Sequence, residues 1–461
     1  MAVSPQPAPY RPEAAILELG DAFYDRVEAA HFPETRLCYR NDRAAAAVGL
    51  DKLSDPEWIA HFGRFDTLPG TLETPLALRY HGHQFRQYNP DIGDGRGFLF
   101  AQVRDRSDRL MDLGTKGSGQ TPYSRFGDGR LTLKGGVREV LATEMLEALG
   151  VETSRSFSLI ETGEALDRGD EPSPTRSSVL VRLSHGHIRI GTFQRLAFER
   201  DAENMRRLVA YVLRHFYGDA GGGDAPARLL DHVVRGAARL AASYMAAGFV
   251  HGVLNSDNIN VTAESFDYGP WRFAPTWDPG FTAAYFDHAG LYAFGRQPEA
   301  IHWDVAQLAV SLRLLSEAEP LIAALDTFGD HYQQAVSDAL LWRLGVSPLE
   351  APADRILVRT IERTLRATEA PIDRFFFDAF GGRLPDTPAY RDDRYGEVRA
   401  MLERRTPRAS RDHPYWRGTA PCSMLIDEVE AIWARIAEDD DWTRFNAKIA
   451  AIHAMGDALA G

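Results

Sequence analysis

Two aspartates and an asparagine set between apolar runs form the strongest chemical signal in the sequence. Asp257 and Asn258 lie in the polar stretch 251–260, and Asp267 follows in the next turn. Carboxylate and amide oxygens are ligands that Mg²⁺ accepts, and a carboxylate beside a hydroxyl can serve as a general base. Asp, Asn and Ser also build ordinary turns, so the stretch alone leaves a metal-and-base loop and a structural turn open.

A glycine-rich loop is the second candidate. Gly93, Gly95 and Gly97 recur at every second position, which lets the backbone approach a ligand closely, and Arg96 among them suits a phosphate. The pattern is neither the G-x-G-x-x-G of dinucleotide-binding folds nor a P-loop, so both of those classes are excluded. A glycine-rich hairpin turn without a ligand is the alternative.

A lysine and a glutamate fall on elements that could bring them together. Residues 109–116 predict a strand that ends at Lys116, and the apolar spacing of 134–150 predicts a helix in which Glu139 borders the apolar face. A strand lysine paired with a helix glutamate holds nucleotide phosphates in kinase-like folds. A solvated lysine and an exposed helix glutamate are the alternative.

Two arginines indicate an anion site. The alternating segments 178–184 and 187–191 predict a hairpin that turns at 185–186, so that Arg182 and Arg189 face each other across it. Two like charges so placed repel unless an anion lies between them, which favours a polyphosphate ligand. Arginines splayed into water are one alternative, and a zinc site built from the two His-Gly-His segments is another.

The composition limits the classes of function. A formal net charge of -13 over 461 residues disfavours nucleic-acid binding, which needs a basic surface. No apolar run is long enough to span a membrane, and the first residues lack the basic and apolar segments of a secretory signal. Two cysteines are too few for a disulfide framework or a multi-cysteine metal site. We therefore expect a cytoplasmic protein without nucleic-acid or membrane partners.

The order of the predicted elements divides the chain into a strand-rich part and a helical part. Strand patterns and the helix that carries Glu139 come first. Long helical patterns follow, among them 205–217, 225–247 and a helix from Pro298 to about residue 318. The acidic run 438–441 is interpreted as a solvated helix start.

Short motifs through the middle of the chain resemble the selenoprotein O (SelO) family of protein adenylyltransferases, a branch of the protein-kinase-like fold. Each motif is weak by itself, and the ordered set gives the resemblance its specificity. The segments that carry it are His81-Gly-His-Gln-Phe85, Gly93-Asp-Gly-Arg96, Lys116-Gly-Ser-Gly119, Thr121-Pro-Tyr-Ser-Arg125, Gly127-Asp-Gly-Arg130, Arg138-Glu139, Arg182 with His187-Ile-Arg189, Gly191-Thr-Phe193, His251–Asn258, Asp267-Tyr-Gly-Pro270, Asp278-Pro-Gly-Phe281 and Gln297-Pro298.

The resemblance implies a two-lobed α+β fold of the protein-kinase-like type. A strand-containing N-lobe would take residues 1–200, and a mostly helical C-lobe with the catalytic loop would take residues 201–461. ATP would bind in the reverse of the usual kinase orientation, so that AMP passes to a Ser, Thr or Tyr hydroxyl of a protein substrate. Mg²⁺ is the implied cofactor, with Mn²⁺ as a substitute.

The resemblance also implies a role for individual residues. Asp257 would be the general base, Asn258 and Asp267 would bind the metal, and Glu139 would pair with Lys116. Such residue types suit nucleotidyl transfer, because cations and a metal stabilise charge on phosphate oxygens and an aspartate accepts the hydroxyl proton. The residues expected to hold the nucleotide are Gly93, Gly95, Arg96, Lys116, Asp128, Gly129, Glu139, Arg182, Arg189 and Asp267.

Departures from related patterns leave other functions open. Asp257 and Asn258 are adjacent, and Gly252 follows His251, unlike the catalytic loop of ordinary kinases. Asp304 stands where the family usually has Asn. The alternatives are a catalytically silent, nucleotide-binding pseudokinase, a transferase of UMP from UTP, and a metal-dependent hydrolase that uses the same aspartates.

Overall fold

A computed structural model of the chain describes residues 8–169 and 171–461. Its strands are β1 (Pro12–Glu13), β2 (Tyr24–Arg26), β3 (Arg36–Arg40), β4 (Leu76–Leu78), β5 (Gly82–Gln84), β6 (Gln87–Asn89), β7 (Leu99–Arg104), β8 (Leu110–Lys116), β9 (Leu131–Thr132), β10 (Arg155–Leu166), β11 (Thr175–Ser184), β12 (Phe249–Val250) and β13 (Arg272–Phe273). The main sheet is antiparallel and has the order β2-β4-β7-β8-β11-β10-β3, with β1 beside β7 and β9 beside β11. β5 pairs with β6, and β12 pairs with β13.

The helices are concentrated in the second half of the chain. They are α1 (Asp42–Val48), α2 (Asp55–Gly63), α3 (Leu133–Ala148), α4 (Ile190–Phe198), α5 (Ala202–Tyr217), α6 (Ala225–Ala247), α7 (Gln297–Leu312), α8 (Ala318–Leu325), α9 (Phe328–Arg343), α10 (Ala351–Thr368), α11 (Ile372–Ala379), α12 (Gly396–Leu402), α13 (Ile426–Asp439) and α14 (Thr443–Ala460). A sheet-rich first part followed by a helical second part confirms the predicted α+β fold.

The long strands of the sheet are buried because helices cover both faces. On β11, Leu180 packs in one apolar cluster with Val137 of α3, whereas the next residue, Val181, packs in another with Trp58 of α2. This alternation is the two-residue period of a strand. It fixes the register in which Lys116, the last residue of β8, lies opposite Leu180.

The helix predicted over 134–150 is confirmed as α3. Thr132 caps it by accepting a hydrogen bond from the backbone N–H of Gly135, and Gly150 follows it with a φ of 78°. A left-handed residue at this position ends a helix, and glycine adopts that conformation without strain. Because α3 packs against β10 and β11, its buried face carries Glu139 towards the end of β8.

The second half is organised around α6, which matches the predicted helix 225–247. The side chain of Asp224 caps its start by accepting from Ala227 N–H, and Gly248 ends it in the left-handed conformation. α6 packs against α5, α7, α8 and α9. The strand-rich and helical parts also meet at the C-terminus, where α13 and α14 pack against α3. The division at residue 200 therefore stays a prediction.

Two predictions about the helical part are wrong. The helix expected from Pro298 to about residue 318 ends at Leu312, and α8 begins separately at Ala318. Apolar spacing continues through the connection between them and conceals the break. The acidic run 438–441 is the end of α13 and the turn after it, where Asp440 accepts hydrogen bonds from Arg176 and Arg36 (2.8 and 2.9 Å). Within residues 8–169 and 171–461, no helix is long and apolar enough to cross a bilayer.

Candidate active site

A cavity of about 810 Å³ lies where the glycine loop, the end of β8 and the segment 253–270 meet. It brings together the predicted site residues from both halves of the chain, and Glu139 lies behind its wall against Lys116. The predicted residues in its lining are Gly93, Gly95, Arg96, Lys116, Asp128, Gly129, Arg182, Arg189, Asp257, Asn258 and Asp267.

The cavity is basic although the chain is acidic. Among the described residues, seven arginine and lysine side chains line it against five aspartates, in a chain whose formal net charge is -13. A concave, positively charged site within an acidic surface attracts a small anion rather than a large polyanion such as nucleic acid.

Lys116 and Glu139 form the buried ion pair that the sequence predicts. The ammonium group of Lys116 donates to Glu139 Oε1, and it lies 3.7 Å from Asp267 Oδ1. Burial lowers the pKa of Lys116, while the charge of Glu139 opposes that shift. Glu139 comes from the middle of α3 and Lys116 from the end of β8, so the pair ties the helix to the sheet beneath the cavity.

Asp267 is surrounded by cations. Arg182 donates to its Oδ1, Arg189 donates to its Oδ2 (2.6 Å), and Lys116 lies beyond Oδ1. Burial acts to raise the pKa of Asp267, but Arg182, Arg189 and Lys116 together hold that pKa well below its usual range. Asp267 is thus a permanently ionised carboxylate that keeps three cations in place at the cavity wall.

The predicted hairpin that would place Arg182 opposite Arg189 is wrong. Residues 185–189 leave the sheet, and Arg189 precedes α4, where a second strand was expected. Its backbone forms an isolated bridge with Asn260, and its guanidinium stacks on the ring of Tyr80 at 4.6 Å. The two arginines still lie close together, because both donate hydrogen bonds to Asp267.

A short 3-10 turn over 256–258 presents Asp257 to the cavity. Ser256 Oγ accepts a hydrogen bond from the backbone of β5 (2.7 Å), and Arg189 Nη1 donates to the carbonyl oxygen of Asp257 (2.6 Å). The amide nitrogen of Asn258 donates to a carbonyl earlier in the loop (3.0 Å), which fixes the orientation of that amide. The turn is therefore held by β5, by Arg189 before α4 and by a hydrogen bond within its own loop.

The carboxyl group of Asp257 has an environment unlike that of Asp267. Burial raises its pKa to about 6, and the charge of Arg189 only partly offsets this. Within the described chain, its buried Oδ1 has no hydrogen-bond partner. A carboxyl group with a pKa near neutrality that lines a cavity can accept a proton from a bound hydroxyl group.

The glycine loop is shaped by its own neighbours. A side chain at Gly95 would put a Cβ atom 2.9 Å from the carbonyl oxygen of Tyr123, and one at Gly93 would overlap the Tyr123 ring. Ser124 Oγ and Thr121 Oγ1 donate to carbonyl oxygens of the loop. The glycines therefore let segment 121–130 close onto the loop, in addition to the close ligand approach that the sequence suggests.

Comparisons with known proteins assign this chain to a family. Residues 9–384 match the family described as "Protein adenylyltransferase SelO". The chain belongs to the SelO family. Proteins named "Protein nucleotidyltransferase YdiU" are similar to it in Synechococcus elongatus (43% identity, 98% of this chain and 96% of the relative), Gloeobacter violaceus (44%, 94% and 93%) and Pseudomonas aeruginosa (36%, 81% and 77%).

Membership of the SelO family confirms the predicted enzyme class, a nucleotidyltransferase. Among solved structures, a Toxoplasma gondii specific rhoptry antigen kinase domain matches 63% of this chain, which covers 84% of that domain. Its identity is 13% and its TM-score is 0.30. At that level of similarity the kinase domain adds nothing about the site. The fold assignment depends on the sheet and helices of the SelO-family chain itself.

Sequence reasoning missed some charged residues of the SelO-family cavity. Arg168 lines it and donates to both carboxylate oxygens of Asp128 (2.8 and 3.1 Å). It belongs to a polar segment after β10 that shows only the composition of a solvated loop. Asp94, between two predicted glycines, lies 3.5 Å from Arg189 Nη2. The motif that contains Asp94 was recognised, but neither its spacing nor its composition marks this carboxylate.

Asn258 and Asp267 are the residues of the SelO-family chain that could hold a divalent cation. Among the described residues, no cluster of three or more His, Cys, Asp or Glu side chains forms a metal site by itself. Mg²⁺ is usually bound by one or two carboxylates together with substrate phosphates. Although arginines occupy Asp267, each carboxylate oxygen retains a second lone pair. The oxygen donors therefore fit a cation that arrives with a nucleotide.

Proposed function

We propose that this enzyme transfers AMP from ATP to Ser, Thr or Tyr hydroxyl groups of proteins. The observation that carries the proposal is a pair of carboxyl groups at one cavity whose pKa values are shifted in opposite directions. Asp267 is ionised and collects cations suited to phosphates, whereas Asp257 lines the same cavity with a raised pKa suited to accepting a proton. Transfer to a hydroxyl group needs both functions at once.

The proposed reaction is a displacement at the α-phosphorus of ATP. The acceptor oxygen forms a bond to the α-phosphorus as its proton passes to Asp257, the bond from that phosphorus to the bridging oxygen breaks, and pyrophosphate leaves. ATP must therefore lie with its α-phosphate nearest Asp257, the reverse of a phosphoryl-transferring kinase. With a pKa of about 6, Asp257 is mostly ionised at neutral pH and still basic enough to accept the proton.

The cations of the cavity are proposed to stabilise charge on the phosphate oxygens. Lys116, Arg182 and Arg189 are held around Asp267, so they are ordered before the nucleotide binds. Such fixed charges stabilise a transition state without reorganisation during the reaction. Arg96 and the Asp128–Gly129 turn line the same cavity and are proposed to hold the rest of the nucleotide.

Asn258 and Asp267 are proposed to hold Mg²⁺, for which Mn²⁺ could substitute. A divalent cation bound there would neutralise charge on the phosphates. The amide of Asn258 is already oriented by its hydrogen bond to Val253 (3.0 Å). The protein supplies few ligands of its own, so we expect cation affinity to depend on nucleotide.

Intact-mass measurement after incubation with ATP, Mg²⁺ and a mixture of protein acceptors tests the reaction class. We expect the mass of one AMP to be added to the enzyme or to an acceptor, and no addition by an Asp257→Ala variant that still melts cooperatively. Label from α-labelled ATP should be incorporated, and label from γ-labelled ATP should not. Incorporation of γ-label alone would mean ordinary phosphorylation, and binding of ATP without transfer would mean a pseudokinase.

UMP transfer from UTP is a second candidate, because the relatives are named as nucleotidyltransferases without a specified base. The proposed chemistry at Asp257 is the same for either nucleotide. A competition series in which unlabelled UTP, CTP or GTP is added to α-labelled ATP separates the two. We expect ATP to be used best with Mg²⁺, and preferential incorporation of UMP would replace the proposal.

A further inference from the structure

Three aromatic side chains form an exposed surface outside the cavity. Phe85, Tyr285 and Phe286 are 37%, 83% and 42% exposed. Their rings are in contact, with centroids 5.8 Å apart for Phe85 and Phe286 and 5.1 Å apart for Tyr285 and Phe286. We call this surface the aromatic platform. Adjoining exposed apolar side chains of this size mark interaction sites more often than isolated ones do.

The chain adopts a strained conformation to present the platform. Phe85 and Arg86 form the turn between β5 and β6, and both have left-handed φ angles, 49° and 62°. Turns of this kind normally use Asn and Gly, because bulky side chains are strained there. Strain of this kind persists where neighbouring contacts impose it, and it is concentrated at functional sites.

Hydrogen bonds anchor this turn to the catalytic segment. The backbone N–H of Phe85 donates to Asn255 Oδ1 (3.0 Å), and that of His83 donates to Ser256 Oγ (2.7 Å). Arg86 pairs with Glu299 (3.0 Å), which also binds Arg296, and its guanidinium lies over the ring of Trp303 (5.4 Å). The turn is thus fixed relative to Asp257, and the platform beside it consists of aromatic rings.

The platform is continuous with the cavity on two sides. Gln84, which precedes Phe85, lines the cavity. On the other side, the segment that leads into Tyr285 packs beside Gly252, where an added Cβ atom would lie 3.0 Å from Ala283, and the next residue, Val253, lines the cavity. A protein segment whose hydroxyl group reaches Asp257 along this rim would lie against the platform.

We propose that the aromatic platform docks the acceptor segment of the protein substrate through an apolar side chain next to the modified hydroxyl group. The proposal depends on the proposed AMP transfer. The occupant is a protein segment, because the acceptor must enter beside Asp257 while the nucleotide phosphates occupy the cations deeper in the cavity. The platform would select acceptors by their neighbouring residue, and the cavity would select the nucleotide.

Two synthetic peptides test this inference. They share one serine and differ in the next residue, Phe in one and Gly in the other. We expect wild-type enzyme to give a KM for the Phe peptide on the order of tenfold lower. A Tyr285→Ala, Phe286→Ala double variant should lose this preference while its thermal stabilisation by ATP is unchanged. The matched control is Ile322→Ala, which removes an apolar side chain of 55% exposure from α8.

Each result decides between the two proposals. AMP transfer to both peptides with equal KM overturns the platform and leaves the transfer intact, and so does self-modification without peptide modification. No AMP transfer to any acceptor overturns both. If the double variant does not fold, Tyr285→Ala alone, at a site that is 83% exposed, is used for the same comparison. A change from dimer to monomer in sedimentation of the variant would show that a second copy of the chain occupies the platform, and would overturn the proposal.

Discussion

Asp257 and Asp267 lie at the same cavity, and their pKa values are shifted in opposite directions. Asp267 is ringed by Lys116, Arg182 and Arg189, which keep its pKa well below the usual range despite burial. Asp257 is buried as well, but its contact from Arg189 is made through the backbone carbonyl, and its pKa rises to about 6. The pKa values of two identical side chains therefore differ because three cations reach the carboxylate of Asp267, whereas burial outweighs the charge of Arg189 at Asp257.

Pairs of titratable groups whose pKa values are pushed apart mark acid–base assignments. In this pair the low-pKa member holds cations in place, and the high-pKa member is the proposed proton acceptor. The difference has a structural origin. Arg182 of β11 and Arg189 before α4 both donate to the carboxylate oxygens of Asp267. Arg189 donates only to the backbone carbonyl of Asp257, so burial remains the largest influence on the pKa of that carboxyl group.

The largest effect is expected from Asp267→Asn. The substitution removes the charge that compensates Lys116, Arg182 and Arg189, and breaking a buried ion pair costs about 3–5 kcal/mol of folding stability. AMP transfer should fall by about a thousandfold or more, because the phosphate-binding cations lose their order. Chemical denaturation and α-label incorporation measure the two effects.

ATP provides a control for this prediction. Its phosphates restore negative charge among the cations, so ATP should raise the melting temperature of Asp267→Asn by more than that of wild type when both are near saturation. Asp338→Asn, an exposed carboxylate on α9, should change neither property. An Asp267→Asn variant as stable as wild type without nucleotide would show that the cations do not depend on Asp267.

Asp257→Asn should separate activity from stability. Loss of the proposed base should lower kcat by about a hundredfold to ten-thousandfold. The folded pKa of about 6 exceeds the ordinary 3.8, so the folded chain binds this proton more tightly than the unfolded chain. Wild type therefore loses stability as the pH rises from about 4 to 6, by up to about 3 kcal/mol.

The measurement for this prediction is denaturation without metal or nucleotide at pH 4.5 and pH 8. Asn cannot ionise, so the variant should be more stable than wild type at pH 8, and the two should be close at pH 4.5. The comparison between the aspartates fails if Asp257→Asn is destabilised at pH 8 as Asp267→Asn is. Retained AMP transfer would exclude Asp257 as the base.

The contacts that follow from element position could be predicted from the sequence. Lys116 ends a strand and Glu139 borders the apolar face of a helix, so their pairing depends on two local patterns that are both strong. The meeting of Arg182 and Arg189 was predicted through the wrong geometry. Residues 187–191 alternate like a strand, and the helical spacing of α4 begins only at Ile190. The sequence pattern therefore could not show that Arg189 lies immediately before a helix.

The rest depended on the path of the chain through space. Arg168 reaches Asp128 from 40 positions along the chain, and no local pattern encodes that contact. The aromatic platform joins the β5–β6 turn to residues 285–286, which sequence patterns left in an irregular segment. The residues that the ordered motifs predict lie at one cavity, whereas the surface around it required the tertiary structure.

Asp304 extends the comparison to a third buried carboxyl group. It lies on α7, which packs against the turn that carries Asp257, and within the described residues neither of its buried oxygens has a hydrogen-bond partner. Burial, and then the charge of Asp257, raise its pKa well above the usual range, and the charge of Arg86 opposes this shift without reversing it. Burial thus raises the pKa of Asp304 as it raises that of Asp257, whereas cations lower the pKa of Asp267.

Asp304→Asn should therefore stabilise the protein at alkaline pH. A raised folded pKa means that wild type is progressively destabilised as the pH rises above the unfolded value of 3.8. We expect a gain of about 1–3 kcal/mol at pH 8, because ionisation stabilises the unfolded wild type and Asn cannot ionise, and little gain at pH 4.5. Melting curves across this range, with Asp338→Asn as control, would contradict the assignment if the two variants had the same pH dependence.

The smallest effect is expected where an ion pair at the same cavity is exposed to water. Arg168 and Asp128 are partly exposed, with side-chain exposures of 23% and 47%, so solvent screens the pair and its loss should cost less than about 1 kcal/mol. Arg168→Ala should raise the KM for ATP a few-fold without changing kcat. If the pair acts as a unit, Asp128→Ala and the double variant should show the same increase as Arg168→Ala alone. A large loss of stability in any of them would mean that the contrast between buried and exposed carboxylates does not govern this site.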